Sequence, residues 1–143
     1  MRLPQLAAFA AATLIVTGLA ANAETVTFKS VLTGQAETPP NDTKGTGTLT
    51  ATFDPATKTL TWTANYANLT GPAVAAHFHG PAPAGKAAPV EVPQPAPLDS
   101  PMKGTATLTD AQAKDLMDGM IYFNIHTAAN KGGEIRGQLE KAM

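Results

Sequence analysis

The sequence predicts an all-β domain, an antiparallel Greek-key sandwich or barrel with one short helix. Three observations predict it. Residues 45–53 and 59–69 alternate apolar and polar side chains with the two-residue period of a half-buried strand. Clusters of Gly, Pro, Asn and Asp separate these and other short segments rich in β-branched and aromatic residues. Only residues 109–117 carry helical signals.

Each element follows from its residues. Thr25 to Leu32 is β-branched and reads as a strand, followed by a turn-rich loop from Gly34 to Lys44 that contains Pro39-Pro40-Asn41-Asp42. Gly45 to Phe53 sets Leu49, Ala51 and Phe53 on one face and Thr48, Thr50 and Thr52 on the other. Thr59 to Leu69 sets Leu60, Trp62, Ala64 and Tyr66 on one face, and the Asp54–Lys58 turn between the two strands predicts a hairpin. Ala73 to His79 is the next strand. Pro81 to Pro101 holds seven of the 12 prolines, so it reads as loop, with a short strand surviving at Val90-Glu91-Val92. This long connection suits a crossover between sheets. Gly104 to Leu108 is a strand. Thr109 and Gln112 form a capping box for the helix, and Gly119 closes its C-terminal end. Ile121 to His126 and Glu134 to Leu139 are the last strands, giving seven or eight in all. Alternation places Phe28, Leu49, Phe53, Leu60, Trp62, Phe78, Phe123, Ile125 and Ile135 in the core.

Composition excludes several classes. The 143 residues carry 10 Lys+Arg against 11 Asp+Glu, so no basic surplus exists to neutralise a nucleic-acid backbone. The absence of Cys removes disulfides, thiolate metal sites and Cys nucleophiles. The sequence has no G-x-S-x-G elbow, P-loop, dinucleotide fingerprint or H-E-x-x-H helix. Glu37, Glu91 and Glu134 are available carboxylates, but nothing fixes two of them at glycosidase spacing. No catalytic residue is assigned.

Residues 1–23 differ in kind. Arg2 is followed by the uncharged run Leu6 to Ala21 and by Ala21-Asn22-Ala23, the architecture of a cleaved secretory signal peptide. A mature domain of residues 24–143 is expected in the periplasm or outside the cell, with no later segment apolar and long enough to span a bilayer. Its partners are then a metal ion or an extracytoplasmic protein, and not nucleic acid.

The three histidines are the chemical signal. His77 and His79 are i and i+2 on a strand and share a face, with Phe78 on the other. His126 shares a face with Tyr122 and Asn124, opposite Phe123 and Ile125. Glu134 and Arg136, the only Arg after the leader, share a face on the last strand. A hairpin whose paired residue numbers sum to about 260 sets His126 opposite Glu134 and Asn124 opposite Arg136. His77, His79 and His126 are the candidate ligands for a copper or zinc ion, with Asn124, Glu134 and Arg136 supporting them. The competing arrangement is a structural network in which Glu134 accepts hydrogen bonds from Arg136 and the histidines. Met102, Met117 and Met120 form no tight cluster with the histidines and read as packing residues.

Four stretches resemble the CHRD domain, named for its occurrence in chordin and common in exported bacterial proteins. They are Leu69-Thr70-Gly71 with Ala75 to Ala82, Tyr122 to Asn130, Gly133 to Leu139, and the early Gly34 to Pro40 with its G-x-x-E-x-P-P pattern. The resemblance runs from about Thr25 to Leu139. It implies an immunoglobulin-like or related sandwich in an extracytoplasmic location, without a settled activity. The H-x-H strand is also similar to copper/zinc superoxide dismutase, whose site needs more imidazoles than three and a disulfide. The reading is therefore an exported domain that binds copper in storage, buffering or delivery. The alternatives are a metal-free protein- or glycan-binding module and, below it, a metalloenzyme.

Overall fold

The computed structural model describes residues 23–143. The leader expected over residues 1–23 lies outside them except for Ala23. Nine strands and one α-helix are present among the described residues: β1 (Val26–Thr33), β2 (Thr46–Asp54), β3 (Thr59–Ala67), β4 (Ala73–His79), β5 (Val90–Pro93), β6 (Met102–Thr107), α1 (Asp110–Met117), β7 (Tyr122–Thr127), β8 (Ile135–Gln138) and β9 (Glu140–Lys141). One antiparallel sheet runs β5-β4-β7-β8-β1-β2-β3-β6, and β9 adds to β1. The sheet curls into a nearly closed barrel, all-β with a single helix.

The β2–β3 hairpin pairs without a break from Thr46 opposite Ala67 to Asp54 opposite Thr59. Its turn is held by Asp54 Oδ1, which accepts from the Ala56 amide at 2.9 Å. Thr109 caps α1 through the expected box with Gln112. The ninth strand, the two-residue β9, is the one the sequence did not reveal; it pairs Phe28 with Lys141 and Lys29 with Glu140. Glu134 falls just before β8 rather than inside it.

All nine side chains expected in the core are buried there. Trp62 and Phe78 meet edge to face at 4.8 Å, and Phe78 continues to Phe123 at 4.8 Å. Gly104 lies directly opposite Trp62, and a Cβ at Gly104 would overlap the indole ring. Leu116 of α1 fills one end of the core beside Leu60, Phe78, Val92, Leu108 and Ile121.

Gln94 joins the two sheet edges. Its amide N–H donates to Ala76 O of β4 at 2.9 Å, and its side chain donates to Lys103 O of β6 at 3.0 Å. Its Oε1 accepts from buried Trp62 Nε1 at 2.6 Å. One residue thus connects β4, β6 and the core tryptophan, following β5 in the crossover that the proline-rich segment was expected to make.

Two outcomes follow from this packing. Phe123→Ala and Ile125→Ala should each lower unfolding free energy by about 2–5 kcal/mol in chemical denaturation; losses below about 1 kcal/mol at both positions would mean that neither side chain fills the core. Gln94→Ala should cost about 1–3 kcal/mol, because Trp62 Nε1 then stays buried without an acceptor.

Candidate metal centre

β4 and β7 are neighbours, and their register builds the site. His77 lies opposite Asn124, His79 opposite Tyr122, and Ala75 opposite His126. Because strand side chains alternate, His77, His79, Tyr122, Asn124 and His126 all project from the outer face while Phe78, Phe123 and Ile125 enter the core. One nitrogen from each of the three imidazoles lies within 4.8 Å of the others. His77 Nδ1 and His126 Nε2 are 3.1 Å apart.

Backbone carbonyls set the tautomers. His79 Nδ1 lies 2.9 Å from Ala88 O, and His126 Nδ1 lies 2.8 Å from Lys131 O. A carbonyl only accepts, so each Nδ1 carries a proton and each neutral ring keeps its lone pair on Nε2. Both Nε2 atoms point inward, 3.0 Å and 2.9 Å from Asn124 Oδ1. Burial and the neighbouring His126 and His79 push the His77 pKa down, and burial does the same for His79 despite its hydrogen bonds. These two rings therefore favour the neutral form that can bind a cation.

Beneath the histidines the polar groups are deeply covered. Asn124 and Arg136 pair across β7 and β8 in the expected register. Arg136 is only 1 % exposed. Its guanidinium stacks 3.4 Å from the centre of the Tyr122 ring and donates to Lys86 O at 2.7 Å and Thr38 Oγ1 at 3.1 Å. Tyr122 in turn stacks on His79 with ring centres 4.8 Å apart. The loops around Thr38 and around Ala88 thus close over the outer face of the barrel.

Glu37 is the residue whose place the sequence did not reveal. It is 5 % exposed, faces Arg136 and Asn124, and its Oε1 makes no close hydrogen bond. Burial raises its pKa to about 7, against the attraction of Arg136 and the polar Asn124 amide nearby. Its only sequence signal was membership of the Gly34–Pro40 pattern, which gives no hint of contact with β7. Gly133 allows the approach: it has φ +126°, and a Cβ there would overlap Glu37 Oε1 and come within 2.6 Å of Asn124 Nδ2.

Glu134 sits elsewhere on this face. Its carboxylate is fully buried and accepts from Thr43 Oγ1 at 2.5 Å, Thr70 N at 2.9 Å, Thr70 Oγ1 at 2.7 Å and Thr127 Oγ1 at 2.6 Å. Burial raises its pKa, but these hydrogen bonds from Thr127, Thr43 and Thr70 outweigh it and hold the value at about 2. Neither Arg136 nor a histidine is among its partners. The expected Glu134–Arg136 pair is replaced because three threonines, Thr43 and Thr70 from two loops and Thr127 at the end of β7, already satisfy the carboxylate, while Arg136 turns toward Glu37 and Tyr122.

The model of the CHRD domain family matches residues 28–139. Neither the curated proteins nor the solved structures contain a match to the chain. The matched span contains the G-x-x-E loop with Glu37, the H-x-H strand and the Y-F-N-I-H strand, so the residues that meet on the outer face of the barrel lie within a chain that belongs to the CHRD domain family.

Proposed function

We propose that the chain is exported behind a cleaved leader and that the domain binds a transition-metal ion through His77, His79 and His126. The observation that carries this reading is the convergence of three imidazole nitrogens within 4.8 Å, two of them on rings anchored by backbone carbonyls. Imidazole suits Zn(II) and Cu(II), and Cu(II) binds such donors most tightly. Met102 is buried in the core and Met117 packs against it, so the thioethers that would favour Cu(I) are engaged elsewhere. We read the ion as copper before zinc. The groups touching the imidazoles are an amide, two carbonyls and a stacked phenol ring, none of them a base at neutral pH. Storage or buffering therefore fits better than turnover. Location outside the cytoplasm rests on the leader and on the family; no helix among the described residues is long and apolar enough to cross a membrane.

Cu(II) and Zn(II) titration against a competing chelator tests the site. Each of His77→Ala, His79→Ala and His126→Ala should weaken binding by at least about tenfold. Unchanged affinity in all three variants would replace the metal reading with a metal-free binding module. The proton dependence has a definite sign: protons compete for the nitrogens, so affinity should hold at neutral pH and fall as pH drops through the imidazole range. The lowered pKa values of His77 and His79 place that fall below the range of free imidazole. The intact mass of the exported protein should correspond to a chain starting at Glu24, and retention of the apolar segment would contradict export by cleavage.

A further inference from the structure

In the absence of an ion the hydrogen bonds of the histidine cluster balance. With Nδ1 of His79 and His126 donating to Ala88 O and Lys131 O, both Nε2 atoms hold lone pairs. Turning the Asn124 amide end for end sets Nδ2 where Oδ1 stands, 3.0 Å and 2.9 Å from these atoms, and supplies a donor. The amide oxygen then meets Glu37 above Gly133, and Glu37 keeps a proton to donate up to about pH 7. His126 Nε2 has a second neighbour, His77 Nδ1 at 3.1 Å. Because the neutral His126 ring carries no proton on Nε2, this contact is a hydrogen bond only when His77 Nδ1 carries one. His77 is the odd member of the set. His79 and His126 are each pinned by a backbone carbonyl, whereas among the described residues no carbonyl bonds either nitrogen of His77. The His126 ring alone sets its tautomer.

We propose that His77 is a tautomer switch: its Nδ1 holds the metal-free cluster together as a hydrogen-bond donor and becomes the third ligand once the proton has moved to Nε2. The inference rests on the metal reading above. The spacing supports it. Donor atoms held 2.0–2.1 Å from a tetrahedral ion lie about 3.3 Å from one another. His77 Nδ1 and His126 Nε2 are already 3.1 Å apart, and the three imidazoles each offer a nitrogen within 4.8 Å of the others. The switch therefore needs a proton to move and no strand to shift. The Nδ1–H bond breaks, an Nε2–H bond forms with water carrying the proton, and the freed Nδ1 lone pair goes to the ion. His77 is half-buried on the outer face, so water reaches it. The ring is neutral before and after. His79 and His126 do not switch, because moving either proton to Nε2 would strip Ala88 O or Lys131 O of its donor. A cluster held near ligand geometry by its own hydrogen bond takes up and gives back an ion without refolding, which suits buffering.

The first test needs no variant: the His77 tautomer of the wild-type protein is read from its ring 15N resonances, before and after one equivalent of Zn(II). His77 should be the Nδ1–H form without the ion and the Nε2–H form with it. If Zn(II) binds and His77 shows one tautomer in both states, the switch is overturned and the histidine site stands. If wild type binds neither Zn(II) nor Cu(II), the metal reading itself falls, and the switch with it. The second test separates the two duties of Nδ1. Asparagine places an amide nitrogen near the Nδ1 position, so His77→Asn keeps the donor and loses the imidazole ligand, whereas His77→Ala loses both. In chelator competition both variants should bind Zn(II) at least about tenfold more weakly than wild type. In metal-free thermal melts His77→Asn should stay close to wild type and His77→Ala should melt lower. A metal-free His77→Ala that melts like wild type, or a His77→Asn that melts as low as His77→Ala, overturns the holding role of Nδ1.

Discussion

The site depends on a polar strand face being buried outside the hydrophobic core. The inner face of β4, β7 and β8 is filled by Phe78, Phe123, Ile125 and Ile135 in the ordinary way. The outer face carries His79, Asn124 and Arg136, and these too are closed off from solvent. Polar groups in that position are costly unless each finds a partner. The loops around Thr38 and Ala88 are held where they are because they supply those partners: Thr38 Oγ1 and Lys86 O for Arg136, Ala88 O for His79, and the Glu37 carboxylate beside Asn124. Covering the face fixes the tautomers, and fixed tautomers aim the lone pairs.

Two buried glutamates on this side of the barrel show how local donors decide charge. Glu134 collects hydrogen bonds from Thr43, Thr70 and Thr127, so its carboxylate stays ionised to about pH 2 despite complete burial. It ties two loops to the end of β7 and contributes to stability above the ordinary carboxylate range; that contribution is lost as pH falls from about 4.5 toward about 2. Glu37 is buried with far fewer donors and titrates near 7. Its sign is opposite: an unfolded chain gives up that proton more readily, so stability declines as pH rises from about 4.5 to about 7. Glu134 is therefore the structural acid of this face, and Glu37 the one that changes charge near neutral pH, beside Arg136 and Asn124.

Much of the architecture was legible because strand parity is strict. Once the apolar set Phe123 and Ile125 is inward, Asn124 and His126 must be outward, and the Asn124–Arg136 register follows from the hairpin. The same parity paired His77 with His79. The contact between β4 and β7 was legible only as a possibility, since it joins strands separated by the crossover and helix. Glu37 was not legible in its role. It reaches Asn124 from an irregular loop, and nothing in local periodicity encodes such a contact. Glu134 was misplaced by extending β8 one residue too far, which pointed it at Arg136. The bond from Glu134 N to Ile125 O at 2.7 Å keeps its backbone near β7, while its side chain follows the threonines.

The central claim is electronic: His79 and His126 carry their protons on Nδ1 and hold Nε2 lone pairs toward a shared point with His77. Imidazole 15N resonances of the protein, recorded with and without Zn(II), measure this directly. The account predicts Nδ1–H tautomers for His79 and His126 in the metal-free protein and metal-induced shifts at their Nε2 atoms with Nδ1 still protonated. Nε2–H tautomers, with all three rings indifferent to Zn(II), would contradict it.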